Sequence, residues 1–459
     1  MAEPYGLYGI ILCCEVVTNK HPIRLISINV IKPSNMKPTK LLFAITMAFA
    51  TVCGFAQESI SNYKGLHCHI EGEVKESSFT RILLIIGDGD PRVVPVDTIL
   101  VKDGHFSHDL YIDEPEFYQL FACEDYDKGC WMPLDFFAEE GDVYATFYGY
   151  AIDDAPLPTL HSQTPLNTEL LAYKRSIEER FYIPMRQEEG ALEKAGKLLT
   201  AEGAALKKLY DECEDRDSLR SIRKQIEQLE KDNRLYTPEY KAFMEKGEEL
   251  RKEMYECELD YFTNNPNLVG LYLLNQARRR FNNKDDAAIQ TYVDVFKRLY
   301  DAKYPTNNMA INLRNWVSSM DVRVGSRIID FTLPDLNGAK HTLSKEIEGK
   351  IAIVDFWASW CGPCRRTSMS FIPLYNKYKD KGFTIVGVAS ELESEDMRLA
   401  VEKDGYPWLN LLALRGVENI WERYGIRGAG EVFLIDRDGT ILAVGATAEE
   451  VERILQEKL

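Results

Sequence analysis

The stretch Ile351–Arg366, IAIVDFWASWCGPCRR, decides the fold of the C-terminal third of the chain. An apolar run rich in β-branched residues ends in Trp360-Cys361-Gly362-Pro363-Cys364 and passes into helix-forming sequence, which predicts the two thiols at a strand-to-helix turn. The free N–H groups and dipole at a helix N-terminus favour negative charge, and the thiolate is the nucleophile of disulfide exchange. Cys361, first in the turn and preceded by an aromatic residue, is expected to be the exposed attacking sulfur. Cys364, one turn in, is its expected resolving partner. Asp355 lies on the incoming strand, where a buried carboxylate would take the proton from Cys364 during resolution. The competing readings are a structural disulfide or half of a zinc site. Structural zinc needs a second ligand pair at matching spacing, and the chain holds no other C-x-x-C, so no metal is expected here.

The segment IVDFWASWCGPC resembles the active-site segment of thioredoxins. With DFTLPDLNGAKHTLSKEIEGK before it and RYGIRGAGEVFLIDRDGTILAVG after it, the last third resembles the envelope thiol-disulfide oxidoreductases of the TlpA and ResA kind more than cytosolic thioredoxin. ESEDMRLAVEKDGYPWLNLLAL, a helix and strand interposed before WERYGIRG, is what separates that group. The resemblance implies an α/β thioredoxin-like fold over 322–459, with Cys361 and Cys364 as the redox pair and Asp355 as the buried aspartate. Trp360, Gly362, Pro363, Ala429 and Gly430 are the implied substrate-binding residues. Gly-Pro between the cysteines, as in thioredoxin, implies a reducing pair. One departure stands out. Relatives usually carry a cis-proline in the loop before FLID, where this chain has Ala429 and Gly430. A non-proline cis bond costs roughly 2.5–4 kcal/mol, so a trans or rearranged backbone is expected. Pro373 is expected to bend the active-site helix.

The 459 residues allow several domains, and a formal net charge of −17 argues against nucleic acid or an anionic membrane surface as a partner. Residues 1–35 read as a misassigned upstream extension. From Met36, MKPTKLLFAITMAFATVCGFAQ supplies two lysines, an apolar stretch and small residues at Gly54 and Ala56, the pattern of a cleaved signal peptide over 36–56. Export to the periplasm follows, with the mature chain beginning at Gln57. Val52 is too large for the residue before a lipidated cysteine, which argues against an anchor at Cys53. Cleavage leaves seven of the ten cysteines, among which Cys123 and Cys130 are placed to close a local disulfide.

Residues 57–155 are strand-like and predict an antiparallel β-domain; their pattern resembles a β-rich module of unknown function that precedes thioredoxin domains in envelope proteins. His67 and His69 share a strand face by alternation. Without a third ligand in view, two surface histidines are the better reading. A Pro-rich stretch, 156–165, reads as a linker into an all-α middle region, 156–321, of five to seven helices. There Tyr255 and Phe262 read as core, and Arg278-Arg279-Arg280 as a hold for an acidic partner or, equally, a solvated helix C-terminus.

The expected function is a periplasmic thiol-disulfide oxidoreductase that reduces protein disulfides through a Cys361/Cys364 cycle, without a cofactor. Its expected partners are protein disulfide substrates and an upstream, membrane-bound electron-donor thiol protein. A thiol peroxidase is disfavoured because Phe356 to Trp360 lacks the proline of peroxiredoxin sites. The alternative from another class is an envelope binding or assembly protein whose redox pair is vestigial or a sensor.

Overall fold

A computed structural model describes residues 17–18, 21–22, 64–75, 78–87, 89, 96–129, 132–149, 157–281, 288–415, 419–426 and 430–459. The expected signal peptide, Cys130 and Ala429 lie outside the described residues. Upstream, β1 (Val17–Thr18) and β2 (His21–Pro22) pair in a two-residue ladder. The chain clusters into two compact units, Met1–Asn167 and Thr168–Leu459.

The first unit is built from alternation. In β3 (Leu66–Lys75) Cys68 and Ile70 are fully buried while His67 and His69 face outward. β4 (Arg81–Ile86), β5 (Val96–Leu100), β6 (His105–Ile112), β7 (Glu116–Ala122), β8 (Leu134–Ala138), β9 (Gly141–Tyr148) and β10 (Thr159–Ser162) complete two four-stranded sheets, ordered β10-β9-β3-β6 and β5-β4-β7-β8. The expected antiparallel architecture holds with one exception: β3 runs parallel to β9. The Pro-rich stretch also differs from the expected linker, because Thr159–Ser162 pairs with β9 as an edge strand. Asn167 then ties the start of the following helix to β8, donating to the Phe137 carbonyl at 2.7 Å and accepting from the Phe137 N–H at 2.8 Å. Cys123 keeps a free, buried thiol at the head of a short helix, Cys123–Asp127, and its expected partner Cys130 lies outside the described residues.

The second unit opens with helices. Pro165–Ile177 continues through a π-helical turn, Glu178–Tyr182, into Ile183–Lys194. Ala201–Asp211, Arg216–Lys231, Pro238–Asn264, Leu268–Ala277, Ile289–Leu299 and Asn308–Met320 follow. Side-chain caps start most of them; Thr200, Asp215, Thr237 and Asn267 each accept a backbone N–H of the first turn. Phe262 is fully buried, as expected of core. The arginine cluster is not a freely solvated helix end: Arg280 pairs with Glu258, and its guanidinium lies 4.0 Å from the Tyr255 ring centroid. Cys213 sits in the loop after Ala201–Asp211.

The α/β part follows. β11 (Thr332–Pro334) and β12 (Lys340–Thr342) form a hairpin, closed by Gly338 at φ +81°. β13 (Ile351–Trp357), β14 (Phe383–Glu391), β15 (Leu409–Leu414), β16 (Val432–Ile435) and β17 (Ile441–Val444) make a five-stranded sheet ordered β15-β14-β13-β16-β17. β13 is central, parallel to β14 and antiparallel to β16. All seven of its residues are buried, which is why IAIVDFW reads as a continuous apolar run broken only by Asp355. Pro373 divides the active-site helix instead of bending it. Gly362–Ser370 ends at Phe371, and Ile372–Tyr378 starts afresh with the proline in its first turn.

Candidate active site

β13 delivers the chain into the turn Ala358-Ser359-Trp360, and Cys361 is the N-cap of the helix Gly362–Ser370. Pro363 sits in the first turn, where its missing N–H costs nothing. The Cys361 sulfur accepts the Cys364 N–H at 3.3 Å, the bond an N-cap side chain makes. Cys361 and Cys364 are joined as a disulfide. The expected exposure of Cys361 is not found: Cys361 is 5% exposed and Cys364 8%. The bonded pair packs into the domain core, and the surface around it belongs to Trp360, Gly362 and Pro363. Trp360 is 54% exposed, with the Arg415 guanidinium 5.4 Å from its ring centroid.

Asp355 is buried between Gly387 of β14 and Val432 of β16, and its Oδ2 has no hydrogen-bond partner. Burial pushes its carboxyl up from 3.8 to about 7, with the Ser368 hydroxyl pulling the other way. Ser368 also donates to the Cys364 carbonyl at 3.1 Å, so one side chain touches both the carboxylate and the backbone of the inner cysteine. Arg365 fixes the same helix from outside, gripping Asp404 through two bonds of 2.6 Å and reaching the Ser359 carbonyl at 3.2 Å.

Two contributors escape a reading by motif. Glu391, at the end of β14, is 1% exposed and accepts the Ser359 Oγ–H at 2.7 Å as well as the Ser359 N–H, clamping the turn that carries Trp360. Burial raises its carboxyl, opposed by those two bonds. A lone acid closing the buried run FTIVGVASE is the sequence signal that could have found it. The second is the backbone of Gly430, whose N–H donates to the Cys364 sulfur at 3.2 Å. A proline would have no N–H to give. The Ala429–Gly430 peptide bond, for which a trans or rearranged backbone is expected, lies outside the described residues. Glycine is required by crowding: a Cβ at 430 would lie 1.8 Å from the Phe356 carbonyl oxygen. Each sulfur of the pair thus meets one backbone N–H. Ala429, beside it, is outside the described residues.

Residues 323–458 match the family model Redoxin, and residues 68–149 match Domain of unknown function (DUF4369). The thiol-disulfide oxidoreductase ResA of Halalkalibacterium halodurans is 31% identical over 137 residues, 29% of this chain and 76% of that protein. ResA of Geobacillus kaustophilus is 31% identical over 140 residues, 29% of this chain and 78% of the relative. Among solved structures, the thioredoxin domain of a thiol-disulfide oxidoreductase from Bacteroides vulgatus shares 32% identity, covering 29% of this chain and 96% of that one, at a TM-score of 0.28. A putative thiol:disulfide interchange protein DsbE from Chlorobium tepidum shares 31%, covering 30% and 94%, at 0.26. A C-x-x-C disulfide capping a helix above a buried aspartate is the arrangement expected of thiol exchange, and a relative at 31% identity spans three quarters of its own length along this part of the chain. The chain belongs to the ResA-type thiol-disulfide oxidoreductases, with a DUF4369 domain ahead of the redox domain.

Proposed function

We propose that this oxidoreductase acts in the periplasm as a reductant of protein disulfides. The observation that carries the reading is the pair of backbone donors, Cys364 N–H on the Cys361 sulfur and Gly430 N–H on the Cys364 sulfur, above a buried carboxyl poised near neutrality. In the reduced protein the N-cap position and its backbone donor favour the Cys361 thiolate that attacks, and the reducing direction is supported by the Gly362-Pro363 pair between the cysteines, as in thioredoxin. The Cys361 thiolate attacks one substrate sulfur, forming a mixed disulfide and releasing the other as a thiolate. Cys364 then loses its proton to the Asp355 carboxylate and attacks the Cys361 sulfur. The second substrate thiol leaves, and the Cys361–Cys364 disulfide remains. Two electrons pass to the substrate, so each turnover needs an upstream dithiol protein to reduce the pair again. Trp360 and Pro363, exposed beside the disulfide, would meet the substrate chain. The signal-like segment over 36–56 supports export.

Insulin reduction with a thiol donor tests the activity. Turnover should vanish in Cys361→Ser and collapse to a trapped mixed disulfide in Cys364→Ser. Turnover unchanged in either variant rules out the cycle. N-terminal sequencing of envelope fractions should give Gln57; recovery only from the cytoplasm rules out the location.

A further inference from the structure

Far along the chain from the redox pair, the outer face of β3 and β6 carries a cluster that the disulfide exchange does not use. The antiparallel register sets Asp109 directly opposite His69 and Tyr111 opposite His67. The Asp109 Oδ1 lies 2.8 Å from His67 Nε2 and 2.7 Å from His69 Nδ1. The third ligand that the sequence did not reveal is therefore present, on the neighbouring strand. The ligand atoms of all three residues lie within 4.8 Å of one another.

The surroundings fix both rings. His67 stacks on Tyr111, with ring centroids 4.9 Å apart and planes 17° from parallel. His69 presents its other nitrogen, Nε2, to Glu71 Oε1 at 3.2 Å. That contact is decisive. A neutral imidazole owns one ring proton, yet both nitrogens of His69 face carboxylate oxygens. With the proton on Nε2 toward Glu71, Nδ1 turns a lone pair toward Asp109. The contact then requires a positive charge between the two, either a second proton or a metal ion. A carboxylate holding the distal N–H of a histidine is also the usual support of a metal-bound imidazole.

We propose that His67, His69 and Asp109 bind a divalent transition-metal ion of the zinc class, with Glu71 orienting His69. Two imidazoles and one carboxylate are a borderline N₂O donor set, suited to Zn²⁺ and not to the oxygen-seeking Mg²⁺ or Ca²⁺. Tetrahedral bonds of roughly 2.0–2.2 Å place adjacent ligand atoms about 3.3–3.6 Å apart. The observed separations of 2.7 and 2.8 Å need to open by roughly 0.5–0.9 Å, which exposed side chains on a strand face can give. The three ligands come from one face of one sheet. The opposite side of the ion is left to water or to a group from another molecule.

The test is titration of the chelator-stripped full chain with Zn²⁺ alone, the Cys361–Cys364 disulfide kept oxidised so that neither sulfur can ligate. Wild type should bind one equivalent that His67→Ala, His69→Ala and Asp109→Ala each weaken by about 100-fold and Glu71→Gln by about 10-fold. All variants carry the same remaining thiols, and far-UV circular dichroism with thermal melts establishes folding. Co²⁺ in place of Zn²⁺ should give visible d–d bands without thiolate charge transfer, lost in the Asp109 variant. Wild-type affinity in every folded variant, thiolate charge transfer that the substitutions leave unchanged, or no Zn²⁺ uptake by wild type overturns the proposal.

Discussion

Asp355 owes its chemistry to what its neighbours withhold. Its Oδ2 has no partner and the Ser368 hydroxyl offsets burial only in part, and the resulting rise from 3.8 to about 7 makes it a base that works at neutral pH. The same rise costs stability. The folded state holds a proton between about pH 4 and 7 that the unfolded state has released, so stability falls as pH climbs through that window and stays low above it. At roughly 1.36 kcal/mol per pH unit the penalty above pH 7 is on the order of 4 kcal/mol. Asp355→Asn should therefore melt higher than wild type at pH 8, with the gain shrinking toward pH 4. A gain independent of pH would contradict the assignment. In stopped-flow exchange the wild-type resolution step should accelerate as pH rises through 7, while the Asn variant resolves slowly at every pH and keeps the first attack intact. Alkylation orders the two sulfurs. With both cysteines equally buried, it is the N-cap position of Cys361 that sets the order, so iodoacetamide should modify Cys361 first in the reduced protein. Faster modification of Cys364 would reverse the assigned roles.

At the level of elements, the loop entering β16 shows why a family habit does not transfer. Gly430 packs its backbone onto the end of β13, between reciprocal bonds that join Phe356 and Glu431 at 2.9 and 3.1 Å. Gly430→Pro would restore the residue that relatives use, but it deletes the N–H on the Cys364 sulfur and drives ring atoms into the Phe356 carbonyl. Gly430→Ala keeps the N–H and adds only the clash. Both should destabilise the domain by roughly 2–4 kcal/mol, and the proline variant should also shift the potential of the pair. Thermal melts and equilibration against glutathione read the two effects separately; a proline variant as stable as wild type would refute the packing argument. This contact also marks where the sequence stops being legible. The strand, the C-x-x-C turn and the helix cap lie within sixteen consecutive residues, and local spacing specifies them. The Gly430 donor reaches Cys364 across 66 residues, and Asp109 reaches His69 across 40. Such contacts depend on strand register, which alternation alone does not determine. The parallel pairing of β3 with β9 and the recruitment of Thr159–Ser162 as an edge strand were invisible for the same reason: each is a choice of partner, and the local pattern is satisfied by several.

Across the whole molecule, the redox chemistry is confined to one end, yet the helices before it share its compact unit. The helix Asn308–Met320 packs against the short helix Ile420–Arg423, and Leu313 and Trp316 of the first and Ile420 and Trp421 of the second are buried. Val322, just beyond, is part of the redox domain's own core. A chain cut to 323–459 keeps every residue assigned to the exchange but exposes this face. Each large side chain returned to water costs about 1.5–3 kcal/mol, and a domain of this size loses roughly 2–8 °C in melting temperature per kcal/mol. A chain beginning at Thr168 keeps the face covered. The two truncated chains should therefore reduce insulin at similar rates at 25 °C, with the shorter melting lower by about 5 °C or more. Equal melting temperatures would mean that the helical segment contributes nothing to the redox domain's stability. Loss of insulin reduction in the longer chain would mean that the first unit takes part in the exchange itself.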